Sequence, residues 1–355
     1  MNFDINKIPH INEIANNGSF NGARSKNTET FQQRCGDCNK IVPSLEEAIK
    51  KSGLRDGMTI SFHHHFRNGD HIINNVLDKL AEMGFKNLTL AASSLSAVHA
   101  PLIEHIRSGL ITHIETSGLR GELAEQISRG LMDFPVVFRS HGGRASAIRS
   151  GELHIDVAFL GAPSCDPYGN ANGYSRDDDD GISCGSLGYA RTDAEFADKV
   201  IIITNNIVSY PNAPWAIPEH DVDYVVRVDD IGDPKGIMSG ATRYTKDPKE
   251  LLIAKTAANV VEAAGYLYDG FSMQMGSGGA SLATARFIRQ KMLDKGIRCR
   301  FALGGITGQI TAMHEEGLID RILDVQSFDL DAAKSLKNNH FHHQISATYY
   351  ASHLV

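Results

Sequence analysis

The sequence lacks a long hydrophobic run. No stretch approaches the roughly 18 consecutive apolar residues expected of a bilayer-spanning helix, and Met1 is not followed by the basic start and apolar core of a secretory leader. Dense runs of Lys and Arg are missing as well, and the formal net charge is -7. The composition therefore argues against membrane and nucleic-acid partners, and we expect a cytoplasmic protein.

Cysteine is scarce. The five cysteines are an odd number, which suits a reducing compartment better than a disulfide framework. Cys35 and Cys38 form a C-x-x-C pair, but no second Cys/His pair stands nearby to complete a four-ligand zinc site. The sequence also contains no G-x-S-x-G elbow and no H-E-x-x-H motif. A hydrolase triad and a zinc protease therefore have no support.

From "PSLEEAIKKSGL" onwards, short apolar runs alternate with amphipathic stretches. Runs such as "NLTLAA" and "KVIIIT" are typical of buried strands, whereas "HIINNVLDKLAEMG" has helical periodicity. This alternation predicts an α/β fold whose mostly parallel sheets are covered by helices. We expect a polar N-terminal arm over residues 1–42, a first α/β domain over 43–240 and a second over 241–355.

Three phrases occur twice in the same order. "GLRDGMTISF" is answered by "GYLYDGFSMQM", and a glycine follows twenty-eight residues after Asp56 and twenty-seven after Asp269. "SGLITHI" is then answered by "EGLIDRI". Three anchors at near-equal spacing indicate a duplicated α/β unit. Because little sequence follows the last anchor, we expect the second unit to be incomplete, either as a reduced copy or because the chain is a fragment.

The stretch "SFHHHFRNGD" ends the first strand of the first unit, at the edge where open parallel sheets bind ligands. Adjacent side chains of a strand point to opposite faces, so His63, His64 and His65 are not expected to converge on one metal ion. Arg67 offers a planar fork for a carboxylate, and a histidine can donate to a developing oxyanion. The alternative is that the histidines are ordinary loop residues and that Arg67 pairs with Asp70.

The equivalent loop of the second unit is rich in glycine. "QMGSGGASLATARF" predicts a tight turn followed by a helix whose N-terminal amides attract anions, although it is neither a dinucleotide fingerprint nor a Walker loop. "FALGGITG" closes the next strand with an amide-rich bend. The loops "SHGGR" and "LGAPSCDPYGNANGY" are compatible with function or with plain turns. The run Asp177 to Asp180 is interpreted as a solvated acidic loop.

Taken together, "DGMTISFHH", "FRNGD", "SHGGR", "GFSMQMGSGGASLA" and "FALGGITG" closely resemble the citrate lyase alpha chain family, over roughly Ser44 to Ser346. The resemblance implies a coenzyme A transferase fold of two related α/β halves, in agreement with the duplication. It also implies that the chain normally continues past Val355, which makes truncation the favoured explanation for an incomplete second half.

The activity implied by the resemblance is acyl exchange on a carrier protein: acetyl-carrier and citrate give citryl-carrier and acetate. The implied partners are a beta chain, which cleaves the citryl thioester, and a gamma chain, which is the acyl carrier, in an oligomeric complex. The thiol belongs to a phosphoribosyl dephospho-coenzyme A group on the gamma chain, so this chain is expected to hold no cofactor and no metal of its own. The alternatives are a transferase acting on free acyl-coenzyme A and a sugar-phosphate-binding module without catalysis.

The implied chemistry can be set against the quoted loops. For the carboxylates of citrate we expect Arg67 with His63 and His64, and for the thioester oxyanion the backbone amides around Gly304 and Gly305. Residues expected to bind the substrate or the acyl arm are Gly69, His141, Arg144, Asn170, Ser277, Gly278 and Gly279. The third histidine of the run varies in the family and is the least favoured of the three.

The resemblance also bears on the mechanism. Many related transferases carry a glutamate, which forms an enzyme thioester, in the loop that here reads "GGITG" and contains no carboxylate. We therefore expect direct attack of citrate on the carrier thioester, through a mixed anhydride held in a ternary complex. The alternative is a catalytic glutamate in a C-terminal part missing from this chain.

Overall fold

A computed structural model describes residues 39–64, 66–175, 183–238, 245–276 and 278–351. The strands in these ranges are β1 (Ile41–Val42), β2 (Thr59–Phe62), β3 (Leu88–Ala92), β4 (Ile111–Thr116), β5 (Val137–Phe138), β6 (Val157–Gly161), β7 (Ser164–Cys165), β8 (Ala171–Asn172), β9 (Lys199–Thr204), β10 (Tyr224–Arg227), β11 (Phe271–Gln274), β12 (Cys299–Ile306), β13 (Ile322–Ser327) and β14 (His342–Gln344). The α-helices are α1 (Leu45–Ser52), α2 (Ile72–Glu82), α3 (Leu102–Arg107), α4 (Gly121–Ser128), α5 (His141–Ser150), α6 (Gly188–Phe196), α7 (Pro248–Ala263), α8 (Gly279–Lys295), α9 (Gly308–Glu315), α10 (Leu330–Asn338) and α11 (Ala347–Tyr350).

The strands form two parallel sheets and one small hairpin. The first sheet has eight strands in the order β1-β10-β9-β6-β2-β3-β4-β5, and the second has four in the order β11-β12-β13-β14. Strands β7 and β8 pair antiparallel. The central strands β6 and β9 read as continuous apolar runs because helices cover both faces of a parallel sheet. The predicted α/β class with mostly parallel sheets is confirmed.

The repeated phrases have matching local structures. The Asp56 carboxylate accepts the backbone N–H of Lys86 at 2.9 Å, and Asp269 accepts that of Arg298 at the same distance. The glycine after each aspartate has a φ of 84°, a conformation that glycine adopts without steric cost. Each Asp-Gly turn thus ties the start of one strand to the start of the next, in both sheets.

The two sheets carry separate cores that meet in a small cluster. Larger clusters fill the first and the second sheet units, and a third consists of Ala145, Tyr189, Val325 and Ala347. Helix α11 follows the second sheet but returns to the first unit, where the Thr348 and Thr192 hydroxyls are 2.9 Å apart. In the small cluster, Val325 of β13 packs against Tyr189 at the start of α6.

Strand β1 pairs with β10, so the described part of the first sheet begins at Ile41. The division of the chain at residues 42 and 240 stays a prediction.

Among the described helices, none is long and apolar enough to cross a membrane.

Candidate functional site

The two described histidines of the run "HHH" follow β2, between its neighbours β6 and β3. The His63 Nε2 atom lies 3.5 Å from the Gly161 carbonyl oxygen, on the β6 side. The His64 backbone N–H donates to Ser93 Oγ at 3.1 Å, and the His64 Nδ1 atom is 2.5 Å from the same oxygen, on the β3 side. The two imidazoles thus contact different neighbours of β2.

His64 is an uncharged hydrogen-bonding group. Burial, followed by the positive charge of Arg67 and the proximity of His141, lowers its pKa to about 3. The nearby Gln326 side chain, on β13, acts in the opposite direction. His64 is therefore neutral near neutral pH and faces the second sheet.

Arg67 is the buried cation of the site. It lies in a short 3-10 helix and has a φ of 54°. Only 7% of its surface is exposed to solvent. Its guanidinium carbon is 4.9 Å from the centre of the Phe328 ring, and Nη1 donates to the Ile237 carbonyl at 3.3 Å. Within the described residues Arg67 forms no ion pair, so the alternative of a local pair with Asp70 is not what the structure shows.

A second arginine, Arg120, approaches from the loop after β4. Its backbone N–H donates to the Leu95 carbonyl at 3.1 Å, which fixes this loop beside the loop after β3. Burial and then the charge of Arg120 lower the pKa of Arg67, and the same two causes lead the lowering of the His141 pKa. Arg120 is exposed and has no ion-pair partner in the part of the chain that the structure describes. Arg67, Arg120 and His141 thus lie within electrostatic range of one another, in what we call the cleft, and no described carboxylate forms an ion pair with Arg67 or Arg120.

His141 begins α5, behind the N-cap Ser140, whose hydroxyl accepts the Gly143 N–H at 2.9 Å. The His141 ring lies 5.3 Å from the Tyr189 ring on α6. Arg144, one turn along α5, donates to both carboxylate oxygens of Asp193, at 2.7 and 2.8 Å. Because its fork is occupied inside the protein, Arg144 holds α5 against α6 rather than facing a ligand.

The glycine bend of the second sheet borders the same cleft. Gly304 has a φ of 100°, and the register of β12 against β13 shifts between Gly304 and Gly305. A Cβ atom at Gly304 would lie 3.2 Å from both Gln274 and Tyr350, and one at Gly305 would overlap the Phe328 ring. That ring carries Arg67 on its face, so the bend and the arginine loop meet there.

Gly278 and Gly279 start α8, with Gly278 at the N-cap and no side chain capping the first amides. Nearby, at the end of β11, Gln274 Nε2 donates to the Tyr350 hydroxyl at 2.5 Å. The N-terminus of a helix of 17 residues is attractive to an anion. Ser277, by contrast, lies outside the described residues, as do His65, Cys35, Cys38 and the run Asp177 to Asp180.

The structure gives two other predicted residues partners inside the protein. A Cβ atom at Gly69 would overlap the Asp233 carbonyl oxygen, so this glycine permits a close backbone contact. The Asn170 amide donates to Asp166 and to Glu219, both at 2.9 Å, within the β7–β8 region. The Gly69 contact packs the short helix of Arg67 against the segment that carries the Ile237 carbonyl, whereas the Asn170 contacts lie in another part of the fold. Neither residue enters the proposals below.

Sequence reasoning missed four residues of this cleft: Arg120, Tyr189, Gln326 and Phe328. Arg120 lies in the loop after β4, and its position at a strand end was a usable signal. The aromatic residues look like ordinary core positions in sequence. Gln326 lies more than two hundred residues from His64, and no local pattern connects them.

One grouping among the described residues has the composition of a metal site: His154, Asp156 and Asp198. It lies at the amino ends of β6 and β9, the opposite edge of the sheet from the cleft. Its members bind each other, with His154 Nε2 2.9 Å from an Asp198 oxygen, and Asp156 accepts the Thr59 N–H. We interpret it as a surface ion-pair cluster.

The fold indicates the class of protein to which this chain is similar. Folds similar to that of this chain occur in 4-hydroxybutyrate CoA-transferase from Porphyromonas gingivalis (17% identity, TM-score 0.55, covering 91% of this chain and 70% of that one). They also occur in a Pseudomonas malonate decarboxylase hetero-tetramer solved with malonate (16% identity, TM-score 0.64, covering 85% and 55%). At these identities the likeness concerns the fold alone.

The family follows from closer relatives. The model of "Citrate lyase, alpha subunit" matches residues 38–354. The citrate lyase alpha chain of Haemophilus influenzae is 58% identical over 314 residues, which are 88% of this chain and 62% of that protein. A citrate lyase alpha subunit from Streptococcus mutans, solved in complex with citrate, is 55% identical with a TM-score of 0.85, covering 90% and 62%. This chain belongs to the citrate lyase alpha subunit family, and it spans about three-fifths of the length of these relatives.

Proposed function

We propose that this chain exchanges acetyl for citryl on an acyl carrier protein, so that acetyl-carrier and citrate give citryl-carrier and acetate. The observation that carries the proposal is the buried Arg67, which forms no ion pair with any described residue and feels the positive charge of Arg120. A buried guanidinium group near a second positive charge is costly unless an anion neutralises it. A tricarboxylate meets that need, and the citrate-bound relative supports citrate as the anion.

The exchange consists of two acyl transfers. A citrate carboxylate oxygen attacks the acetyl thioester carbonyl, the carbon–sulfur bond breaks, and the carrier thiolate leaves with the electron pair. The product is an acetyl–citryl mixed anhydride. The thiolate then attacks the citryl carbonyl of the anhydride, acetate leaves, and citryl-carrier is released. Both steps build negative charge on a carbonyl oxygen, which a pre-arranged set of donors stabilises.

The cleft divides the work between charge and hydrogen bonding. Arg67 supplies positive charge for a carboxylate and is braced by the Phe328 ring. His63 and His64 lie beside it, and the depressed pKa of His64 makes that residue a neutral hydrogen-bonding partner rather than a second cation. The amides at Gly304 and Gly305 and at the start of α8, from Gly278, are the proposed donors to the oxyanion.

We also propose that no enzyme thioester forms, because the "GGITG" bend contains no carboxylate. The proposed partners are the citrate lyase beta and gamma subunits in an oligomeric complex in the cytoplasm. The reacting thiol is proposed to sit on the phosphoribosyl dephospho-coenzyme A group of the gamma subunit, and this chain is proposed to hold no cofactor of its own. Membership in the alpha subunit family supports these assignments.

The test is a mass measurement on the carrier. The chain is incubated with acetyl-carrier and citrate, and the expected result is conversion of the acetyl adduct to a citryl adduct. Replacing Arg67 by Gln removes the charge and the fork, and we expect kcat/KM for citrate to fall about tenfold to hundredfold. Arg129→Gln is the matched control. Arg129 is exposed, and its guanidinium forms a weak surface ion pair, at 3.9 Å, with the Glu125 carboxylate one turn earlier in the chain.

Absence of a citryl adduct with the unaltered chain would refute the proposed exchange. Exchange on acetyl-coenzyme A but not on acetyl-carrier would transfer the assignment to a free acyl-coenzyme A transferase. A covalent thioester trapped between this chain and the carrier thiol would overturn the mixed-anhydride route. Unchanged kinetics in Arg67→Gln would remove Arg67 from the site.

A further inference from the structure

Tyr189 lies in the cleft beside His64 and His141, and the exchange proposed above does not use it. It is the second residue of α6, retains 7% exposure, and its ring lies 6.0 Å from His64 and 5.3 Å from His141. In the described part of the chain, no residue forms a hydrogen bond with its hydroxyl. The ring is buried, but the hydroxyl oxygen is not among the fully enclosed polar atoms, so it is open to water or to a ligand.

Two groups lie within electrostatic range of the Tyr189 hydroxyl, Arg144 and Tyr350, and neither accepts a hydrogen bond from it. Arg144 carries only donors, and its fork is committed to Asp193. The Tyr350 hydroxyl already accepts a hydrogen bond from Gln274. The neighbourhood is therefore rich in donors, and an oxygen brought by a ligand is the acceptor that the Tyr189 hydroxyl lacks.

The protonation state of Tyr189 fits a donor. Burial, reinforced by Tyr350, raises the pKa of Tyr189 well above its usual range, so the phenol keeps its proton throughout the physiological range. A protonated phenol cannot act as a base at neutral pH, but it can donate to a carboxylate or to a carbonyl oxygen that gains charge.

We propose that the Tyr189 hydroxyl donates a hydrogen bond to a carboxylate oxygen of the substrate and holds that carboxylate between the arginines and the two histidines. Tyr189 is then a substrate-binding residue of the site, placed by the first turn of α6. This inference rests on the exchange proposed above for the same cleft, and it names an additional residue that recognises the carboxylate.

The test compares Tyr189→Phe with the unaltered chain in three measurements: citrate affinity by calorimetry, acyl exchange on the carrier, and thermal unfolding. The substitution removes only an oxygen, and we expect the citrate Kd to rise about tenfold. Exchange kcat/KM should fall by at least the same factor. The unfolding midpoint should stay the same or rise, because no hydrogen bond of the free protein is lost.

Tyr224→Phe is the control, because the Tyr224 hydroxyl donates to the Lys51 carbonyl at 3.1 Å, away from the cleft. It should leave the citrate Kd and exchange unchanged. If the unaltered chain binds citrate and Tyr189→Phe binds it equally well, the inference is wrong and the proposed exchange stands. If the unaltered chain binds citrate but exchanges nothing, the proposed exchange fails, and the Kd of Tyr189→Phe still decides the role of Tyr189. If the unaltered chain does not bind citrate, both are refuted.

Discussion

Single residues in the cleft show how burial changes the character of a side chain. Arg67 keeps its charge although it is buried, since a guanidinium group does not lose its proton in a protein. His64, equally buried, becomes neutral. The same environment therefore yields a cation at one position and a neutral imidazole at another, three residues away, and the sequence "HHHFRNGD" does not distinguish them.

This difference predicts how stability depends on pH. The pKa of His64 is about 3 in the folded chain and 6.5 for an ordinary, solvated histidine, so the unfolded chain binds the extra proton first as pH falls. The contribution of neutral His64 is complete above pH 6.5 and is lost progressively between 6.5 and about 3, by at most about 1.4 kcal/mol per pH unit. His141 acts in the same direction.

We therefore expect His64→Gln to weaken the decline in unfolding free energy between about pH 7 and about pH 5, measured by urea denaturation at both values. His340→Gln, at an exposed position, is the control and should leave the decline as it is. A decline that is equally steep in His64→Gln and in the unaltered chain would show that His64 is not the group responsible.

At the scale of secondary-structure elements, the placement of His141 and Tyr189 depends on how α5 packs on α6. The pair of Arg144 and Asp193 joins the two helices, with side-chain exposures of 3% and 0%. Arg144 also donates to the Ala91 carbonyl at the end of β3. One buried guanidinium thus fixes two helices and a strand end.

Removing one partner of this buried pair should be costly, because the other charge stays behind uncompensated. We expect Arg144→Met or Asp193→Leu alone to lower the free energy of unfolding by about 3–5 kcal/mol. The double variant should recover much of that loss. Urea denaturation of all four proteins forms the cycle, with Arg107→Gln as the control, since Arg107 pairs with Glu104 at the surface. Additive losses in the double variant would contradict the coupling.

The elements themselves were predictable because their signals are local. The apolar runs marked the strands, and the paired Asp-Gly turns marked equivalent positions in both sheets. The site was predictable only in part. Strand-end topology led to Arg67 and to the glycine bend, but Tyr189 looks like core, and the contact of Arg67 with Phe328 joins loops far apart in the chain. Nonlocal packing of this kind leaves no periodic pattern in a sequence.

At the scale of the whole molecule, the cleft exists because the two units approach each other closely. Gly185 and Gly188 lie at the contact: a Cβ atom at Gly185 would overlap the Ser327 hydroxyl, and one at Gly188 would overlap the backbone oxygens of Val325 and Ile345. The Ser186 hydroxyl donates to the Asp324 carbonyl at 2.7 Å across the same contact. The start of α6, which carries Tyr189, is thus seated directly on β13.

This seating predicts that one methyl group at Gly188 separates the units. Backbone oxygens cannot rotate away as a side chain would, so Gly188→Ala should shift α6 from β13, lower the unfolding free energy by about 1–3 kcal/mol and reduce citrate affinity together with exchange. Gly265→Ala is the control: it has a φ of 81° but no atom within 4 Å of its Cβ position, so it should cost only about 1 kcal/mol and leave citrate binding intact. Equal citrate affinity in Gly188→Ala and the unaltered chain would mean that the cleft does not depend on the close approach of the two units.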